Sequence, residues 1–286
     1  MRNGGAGRRR GLLRLGVLVL VAVAATAAWI ALRSDDVYSG STHGATVERF
    51  EVDSRLLGES RRQTLVRPRG GSEGRPLLLF LHGRGGNSDS NLTAGLFSGL
   101  EALGERAPAI VFADGGDHSY FHDRDDGPWG RYVVDEVLPA AIERLDTDPQ
   151  RVAIGGISMG GFGAFDLARL HPDRFCAIGG HSAALWESAG ETPEGAFDDA
   201  DDFAAHDVIG ALRTDSAALG DGPIWIDGGD ADPFRSSNDA LAAVLEAGGA
   251  DAVRHTWSGG HEGDYWSTHM PAYLRFYARA LQDCRP

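Results

Sequence analysis

The 286-residue chain is 42% hydrophobic and 24% charged, which supplies one large globular domain with a core and excludes a largely disordered chain. Its formal net charge is −14 and all its basic residues are Arg, so lysine-based catalysis is excluded. Residues 1–34 hold six Arg and no acid, leaving 21 basic against 41 acidic residues beyond them; that surface repels nucleic acid, whose binding needs basic contacts to phosphate.

Residues 1–34 read as an export signal or a membrane anchor. Arg8, Arg9, Arg10 and Arg14 precede an uncharged apolar run from Leu15 to Leu32, about long enough to span a bilayer, with the basic flank on the cytoplasmic side. Arg9-Arg10-Gly11-Leu12-Leu13-Arg14 is similar to a twin-arginine export signal, and the small residues Ala22 to Ala28 offer cleavage sites. The length of the run favours an anchor. Residues 35–44 are polar and read as a linker to a domain over 45–286.

Within that domain, Thr46–Val52 and Gln63–Arg67 alternate as half-buried strands do, and with no helix between them they are expected to form an antiparallel edge. Continuous apolar runs predict buried strands at Leu77–Leu81, Ala109–Ala113, Val152–Gly155, Ala177–Gly179, Ile224–Asp227 and Val253–Trp257. Helical periodicity predicts helices over Tyr132–Leu145, Gly161–Leu170, Ser236–Ala247 and Tyr265–Leu281. Strand and helix in alternation imply an α/β fold, a mostly parallel sheet of about eight strands with helices on both faces. Residues 187–207, acidic and rich in Gly and small residues, read as a surface excursion. Cys176 and Cys284 could pair in an exported protein, a buried free thiol being the alternative for Cys176.

One motif carries chemistry. Gly156-Ile157-Ser158-Met159-Gly160 is G-x-S-x-G, with a predicted strand before it and a predicted helix after it, the setting of a nucleophile elbow. A serine hydroxyl needs a base and an acid to orient that base. His261, in a Gly-rich loop between the last strand and the last helix, is the candidate base; His255 lies within a strand and His269 within a helix. For the acid, Asp227 ends a strand, and Asp230 and Asp232 follow it; the G-x-x-D spacing from Gly229 selects Asp232, with Asp230 expected to cap the loop or the next helix. The oxyanion donors are expected to be the amides of Met159 and of Arg84, the latter in Leu81-His82-Gly83-Arg84-Gly85-Gly86. His82, Trp129 and Trp266 are candidate substrate contacts.

These motifs, with Gly259-Gly260-His261-Glu262-Gly263-Asp264-Tyr265-Trp266, resemble the esterase D-like branch of the α/β-hydrolases over roughly residues 45–283. That branch includes S-formylglutathione hydrolases, feruloyl and related carbohydrate esterases, and mycolyltransferases. The resemblance implies a serine carboxylic-ester hydrolase with Ser158, Asp232 and His261 as triad and no metal or organic cofactor. The expected substrate is a small-molecule or envelope-associated ester, with membrane contact only through the N-terminal segment. An envelope acyltransferase on the same residues and a non-catalytic binding protein on the same fold are the alternatives. Asp117, His118, His122, Asp123, Asp125 and Asp126 crowd one loop, yet they miss the calcium-loop pattern, so a solvated or substrate-facing loop is expected there.

Overall fold

The computed structural model describes residues 38–284. The expected export or anchor segment lies outside the described residues. No helix among the described residues is long and apolar enough to cross a membrane.

Eight strands form one sheet: β1 (Thr46–Asp53), β2 (Ser60–Arg67), β3 (Leu77–Leu81), β4 (Ala109–Ala113), β7 (Val152–Ile157), β8 (Ile178–His181), β9 (Ile224–Gly229) and β10 (Ala252–Trp257). Two further short strands, β5 (Asp123–Arg124) and β6 (Gly127–Pro128), pair as a separate ribbon. The order across the large sheet is β1-β2-β4-β3-β7-β8-β9-β10. β1 pairs with β2, and β2 with β4, antiparallel; every later pairing is parallel. The antiparallel edge expected from the missing helix between β1 and β2 is present.

Because successive side chains on a strand point to opposite faces, the apolar runs feed two cores. Leu77, Leu79, Leu81, Val111 and Ile154 face one layer, and Leu78, Phe80, Ile110, Phe112 and Ala153 face the other. The first layer is built from α2 (Leu138–Leu145), α3 (Met159–Leu170), α5 (Val208–Thr214) and α6 (Arg235–Ala247). The second holds α1 (Ala94–Leu103) and α7 (Gly263–Asp283). A short helix, α4 (Ala200–Ala205), lies within the acidic excursion.

Several elements depart from the sequence reading: β10, expected to be buried, is an edge strand with Val253 41% exposed, and neither α4 nor α5 was predicted. α1 was not predicted; Thr93 caps it by accepting from the Leu96 amide at 3.2 Å. The helix predicted over Tyr132–Leu145 opens as a π-helix over Tyr132–Val137. There the Leu138 amide donates to the Val133 carbonyl five residues back, and Pro139 follows with no amide to resume the ordinary ladder. A second proline, Pro271, sits inside α7 and frees the Ser267 carbonyl. α1 packs against that point so closely that a Cβ on Gly95 would lie 1.8 Å from the Ser267 oxygen.

Cys176, just before β8, and Cys284, at the end of α7, form a disulfide that closes a span of 108 residues. The pairing left open by the sequence is present. Closing so long a loop restricts the unfolded chain, an effect typically of about 2–4 kcal/mol. Cys284→Ser should therefore lower the unfolding free energy by about that amount. Urea titrations with and without reductant check it: reductant should destabilise the wild type to the level of the variant and leave the variant unmoved.

Candidate active site

The site begins where β7 turns into α3. Ser158 sits between them at φ 56° and ψ −113°, a backbone conformation that costs a non-glycine residue about 1–3 kcal/mol. Neighbours hold it there. Its amide donates to the His181 carbonyl at 2.9 Å, and its carbonyl accepts from Phe162 and Ala184, each at 3.0 Å. The flanking glycines are steric requirements: a Cβ on Gly156 would lie 2.3 Å from the Gly160 oxygen, and one on Gly160 would lie 2.3 Å from the Leu81 oxygen.

His261 reaches this serine from the loop between β10 and α7. Its Nε2 lies 2.9 Å from Ser158 Oγ, and its Nδ1 lies 3.0 Å from Asp232 Oδ2. Asp232 follows β9, with its side chain fully buried. Its other oxygen accepts from the Phe234 amide at 2.8 Å. Burial pushes the Asp232 carboxyl up, but hydrogen bonds from His261, the Ser182 hydroxyl and the Phe234 amide outweigh it and hold the group below its ordinary value. An ionised Asp232 fixes the proton of His261 on Nδ1, which leaves the Nε2 lone pair facing the serine hydroxyl.

Asp230 has a different task. Its Oδ1 accepts from the Gly259 amide at 3.1 Å, while the Ala231 amide donates to the Gly259 carbonyl at 2.9 Å, so this turn ties the acid loop to the base loop. Asp227, the third acid in the stretch, is 1% exposed. It accepts from His181 Nδ1 at 2.6 Å, Trp225 Nε1 at 2.7 Å, Tyr273 at 2.8 Å and Tyr265 at 3.1 Å. Burial, reinforced by the Asp227 charge, pushes the Tyr265 and Tyr273 phenols well up, so both remain donors.

The loop after β3 lies against the nucleophile, with the Cβ position of Gly83 only 3.6 Å from Ser158 Cβ. It is braced from Gly85 N to Asp117 O at 2.8 Å and from Gly86 N to Gly83 O at 3.0 Å. Among the described residues neither the Arg84 nor the Met159 amide donates to a protein acceptor; Met159 opens α3, whose first amides have no partner within the helix.

The three candidate substrate contacts separate. Trp266 stands beside the base, its ring centroid 5.0 Å from that of His261, and its Nε1 donates to Ser182 Oγ at 3.0 Å. His82 is 1% exposed and both ring nitrogens are occupied, Nδ1 on the Gly83 carbonyl at 2.8 Å and Nε2 on the Gly115 amide at 3.1 Å. It has no free atom for a substrate and instead braces the loop carrying Arg84, which corrects the expectation. Trp129 is buried too: its Nε1 donates to Asp126 at 2.9 Å and Arg61 covers its ring, so it is a packing residue. The crowded acidic loop disperses in the same way, Asp123 holding the Arg131 amide and Asp126 holding Trp129.

Two residues of the site escaped the sequence reading. Ser182, buried at φ 51°, bridges the Trp266 indole to Asp232, and Phe234 places its ring 5.2 Å from that of His261. Neither stands in a local pattern that marks it.

The family described as "Putative esterase" matches residues 54–277. The chain belongs to this family. A relative named "Putative esterase NocK" from Nocardia uniformis subsp. tsuyamanensis is 30% identical over 200 residues, 64% of this chain; the chain spans about half of that relative, 54% of its length. "Diacylglycerol acyltransferase/mycolyltransferase Ag85B" of Mycobacterium leprae (strain TN) is 26% identical over 246 residues, 81% of this chain and 69% of the relative. Among solved structures, a ferulic acid esterase superposes with a TM-score of 0.72 at 22% identity, covering 82% of this chain and 99% of that one. The fold of this esterase-family chain is thus the α/β-hydrolase fold.

The two nearby acids of this esterase-family site can be told apart by kinetics. Asp232→Ala should lower kcat on a short aryl ester by roughly 10³–10⁴-fold, because the base loses its orienting charge. Asp230→Ala, which removes only a loop tie, should cost tenfold or less on the same assay, as expected of about one neutral hydrogen bond.

Proposed function

We propose that the protein is a serine carboxylic-ester hydrolase that works through an acyl-enzyme. The observation that carries this reading is the continuous chain Ser158 Oγ–His261 Nε2–His261 Nδ1–Asp232 Oδ2, with links of 2.9 and 3.0 Å. His261 takes the proton as Ser158 Oγ attacks the ester carbonyl. The carbonyl oxygen becomes negative against the amides of Arg84 and Met159; losing one such donor typically costs about 3–4 kcal/mol of barrier. His261 then gives its proton to the leaving alcohol. Water, deprotonated by the same imidazole, attacks the acyl-serine, and the acid departs as the proton returns to Ser158 Oγ.

Family membership supports ester substrates, and the aromatic rings of Phe234 and Trp266 flanking His261 give the site apolar surface for the ester's organic groups. The Arg-flanked apolar run of residues 15–32 and the disulfide both suit a protein that is exported, either released or held at the membrane by that run with its catalytic domain outside. An envelope-associated ester is then within reach.

One observation favours a second reading on the same residues: relatives named as acyltransferases match 81% of the chain. An alcohol acceptor would replace water in the second half-reaction. Ser158→Ala should lower turnover of short aryl esters by about 10⁴-fold or more, with an unchanged circular dichroism spectrum. A variant that keeps most of the activity would overturn the serine mechanism. Product analysis of the wild type with a sugar acceptor present separates the two readings: free acid alone supports the hydrolase, and an acylated sugar supports the transferase.

A further inference from the structure

Away from the triad, two histidines and a carboxylate converge from segments 80 residues apart in the chain. His122 lies in the loop between β4 and β5. Asp202 stands on α4 and His206 just past its end, an i, i+4 pair that shares one helix face. His122 Nε2 is 3.1 Å from Asp202 Oδ2, and His206 Nε2 is 3.8 Å from Asp202 Oδ1. The two imidazole centroids are 4.4 Å apart, and one ligand atom from each residue lies within 4.8 Å of the others.

We propose that His122, Asp202 and His206 bind one divalent transition-metal ion of the zinc type, which fastens the 187–207 excursion to the body of the domain. Three observations meet in this assignment. The first is the orientation of His206. Its Nδ1 lies 2.7 Å from Asp166 Oδ2; Asp166 is fully buried and is itself gripped by Arg169 at 2.9 Å. That carboxylate orients the ring so that Nε2 is the nitrogen turned towards Asp202 Oδ1. A carboxylate on the far nitrogen is also the usual support behind a metal-bound histidine.

The second observation is His122. Its side chain is fully buried, its Nε2 partner is Asp202, and its Nδ1 has no hydrogen-bond partner. The polar contact of this buried imidazole thus runs to Asp202, which turns Nε2 towards the cluster. Its ring stacks on Phe197 at 5.1 Å and meets Phe162 edge-on at 6.0 Å, which gives the cluster an apolar, low-dielectric wall.

The third is ligand type. Asp202 Oδ2 already accepts from the Asp198 amide at 2.8 Å, which leaves Oδ1 for an ion. Two imidazoles and one carboxylate suit zinc and its neighbours rather than calcium or magnesium. Tetrahedral zinc with bonds of about 2.0–2.1 Å puts neighbouring ligand atoms about 3.3 Å apart, so only a small closure of the cluster is needed. Asp202 and His206 are each 13% exposed, enough for water to complete the coordination.

The site stands independently of ester hydrolysis, and its test reads binding. Tag-free full-length protein is stripped with chelator and titrated with zinc by calorimetry and with cobalt by visible absorption. One ion per chain is expected, with the intense d–d bands of four-coordinate cobalt and a rise in Tm on adding zinc. Asp202→Asn and His206→Gln should each lower affinity by a hundredfold or more. Asp166→Asn should keep the stoichiometry and weaken binding by about 10–100-fold, as expected for loss of a support behind a ligand. Absence of saturable binding in wild type that retains its native circular dichroism would overturn the site. Wild-type affinity in both ligand variants would overturn it equally, since the ion would then be held elsewhere.

Discussion

The structure turns on the strained backbone of Ser158. A residue other than glycine holds positive φ only where its surroundings over-determine it, and here β8 supplies the constraint. The His181 carbonyl takes the Ser158 amide, and the Ser158 carbonyl takes amides from Phe162 and from Ala184 beyond the end of β8. Register between β7 and β8 is thereby coupled to the direction of the serine hydroxyl. Bare glycine at 156 and 160 lets three backbone segments approach at distances that side chains would forbid. The helix that follows opens with free amides beside the hydroxyl, so one turn places the Ser158 hydroxyl in an environment suited to negative charge.

Beneath that turn, Asp227 plays the corresponding part for the loops that carry Asp232 and His261. Four donors from β8, β9 and α7 converge on one buried carboxylate. A buried charge is costly unless its lone pairs are filled, and this one is filled by groups whose own positions matter. β9 leads into Asp232, β8 leads into Ser182, and Tyr265 lies four residues past His261. Each element that delivers a piece of the site is therefore referenced to one point.

Sequence legibility followed the range of the interactions. Leu77–Leu81 and Ala109–Ala113 match the strands residue for residue, because strands buried on both faces read as unbroken apolar runs. β7 runs two residues past its predicted end, since Gly156 carries no apolar signal. α1 was missed because Gly95 and Gly99, needed where α7 presses close, dilute its helical pattern. Ser158, His261 and Asp232 were readable because each stands in a local motif at a strand end. Asp227 read as no more than the end of a strand, and only the fold shows the phenols and indole that occupy it. His82 was drawn into the substrate set by its motif; burial and two committed nitrogens remove it. Ser182 and the pairing of His122 with Asp202 and His206 depend on contacts between distant segments, for which a single sequence offers no pattern.

The disulfide has a further consequence for how the domain opens. Helices ordinarily fray from their ends, and such local openings are the cheapest fluctuations a domain has. α7 has no free end of that kind: Cys284 is bonded to the approach to β8, while Tyr265 and Trp266 at the other end are fastened to Asp227 and Ser182. Its weak point, the missing amide at Pro271, lies in the middle and faces α1. Motion that would begin at the Cys284 end of α7 and travel up the helix to the His261 loop is stopped by a covalent bond. The geometry of the His261 loop is thus insulated from fraying at the far end of α7, and amides along α7 should exchange with solvent as part of the cooperative core.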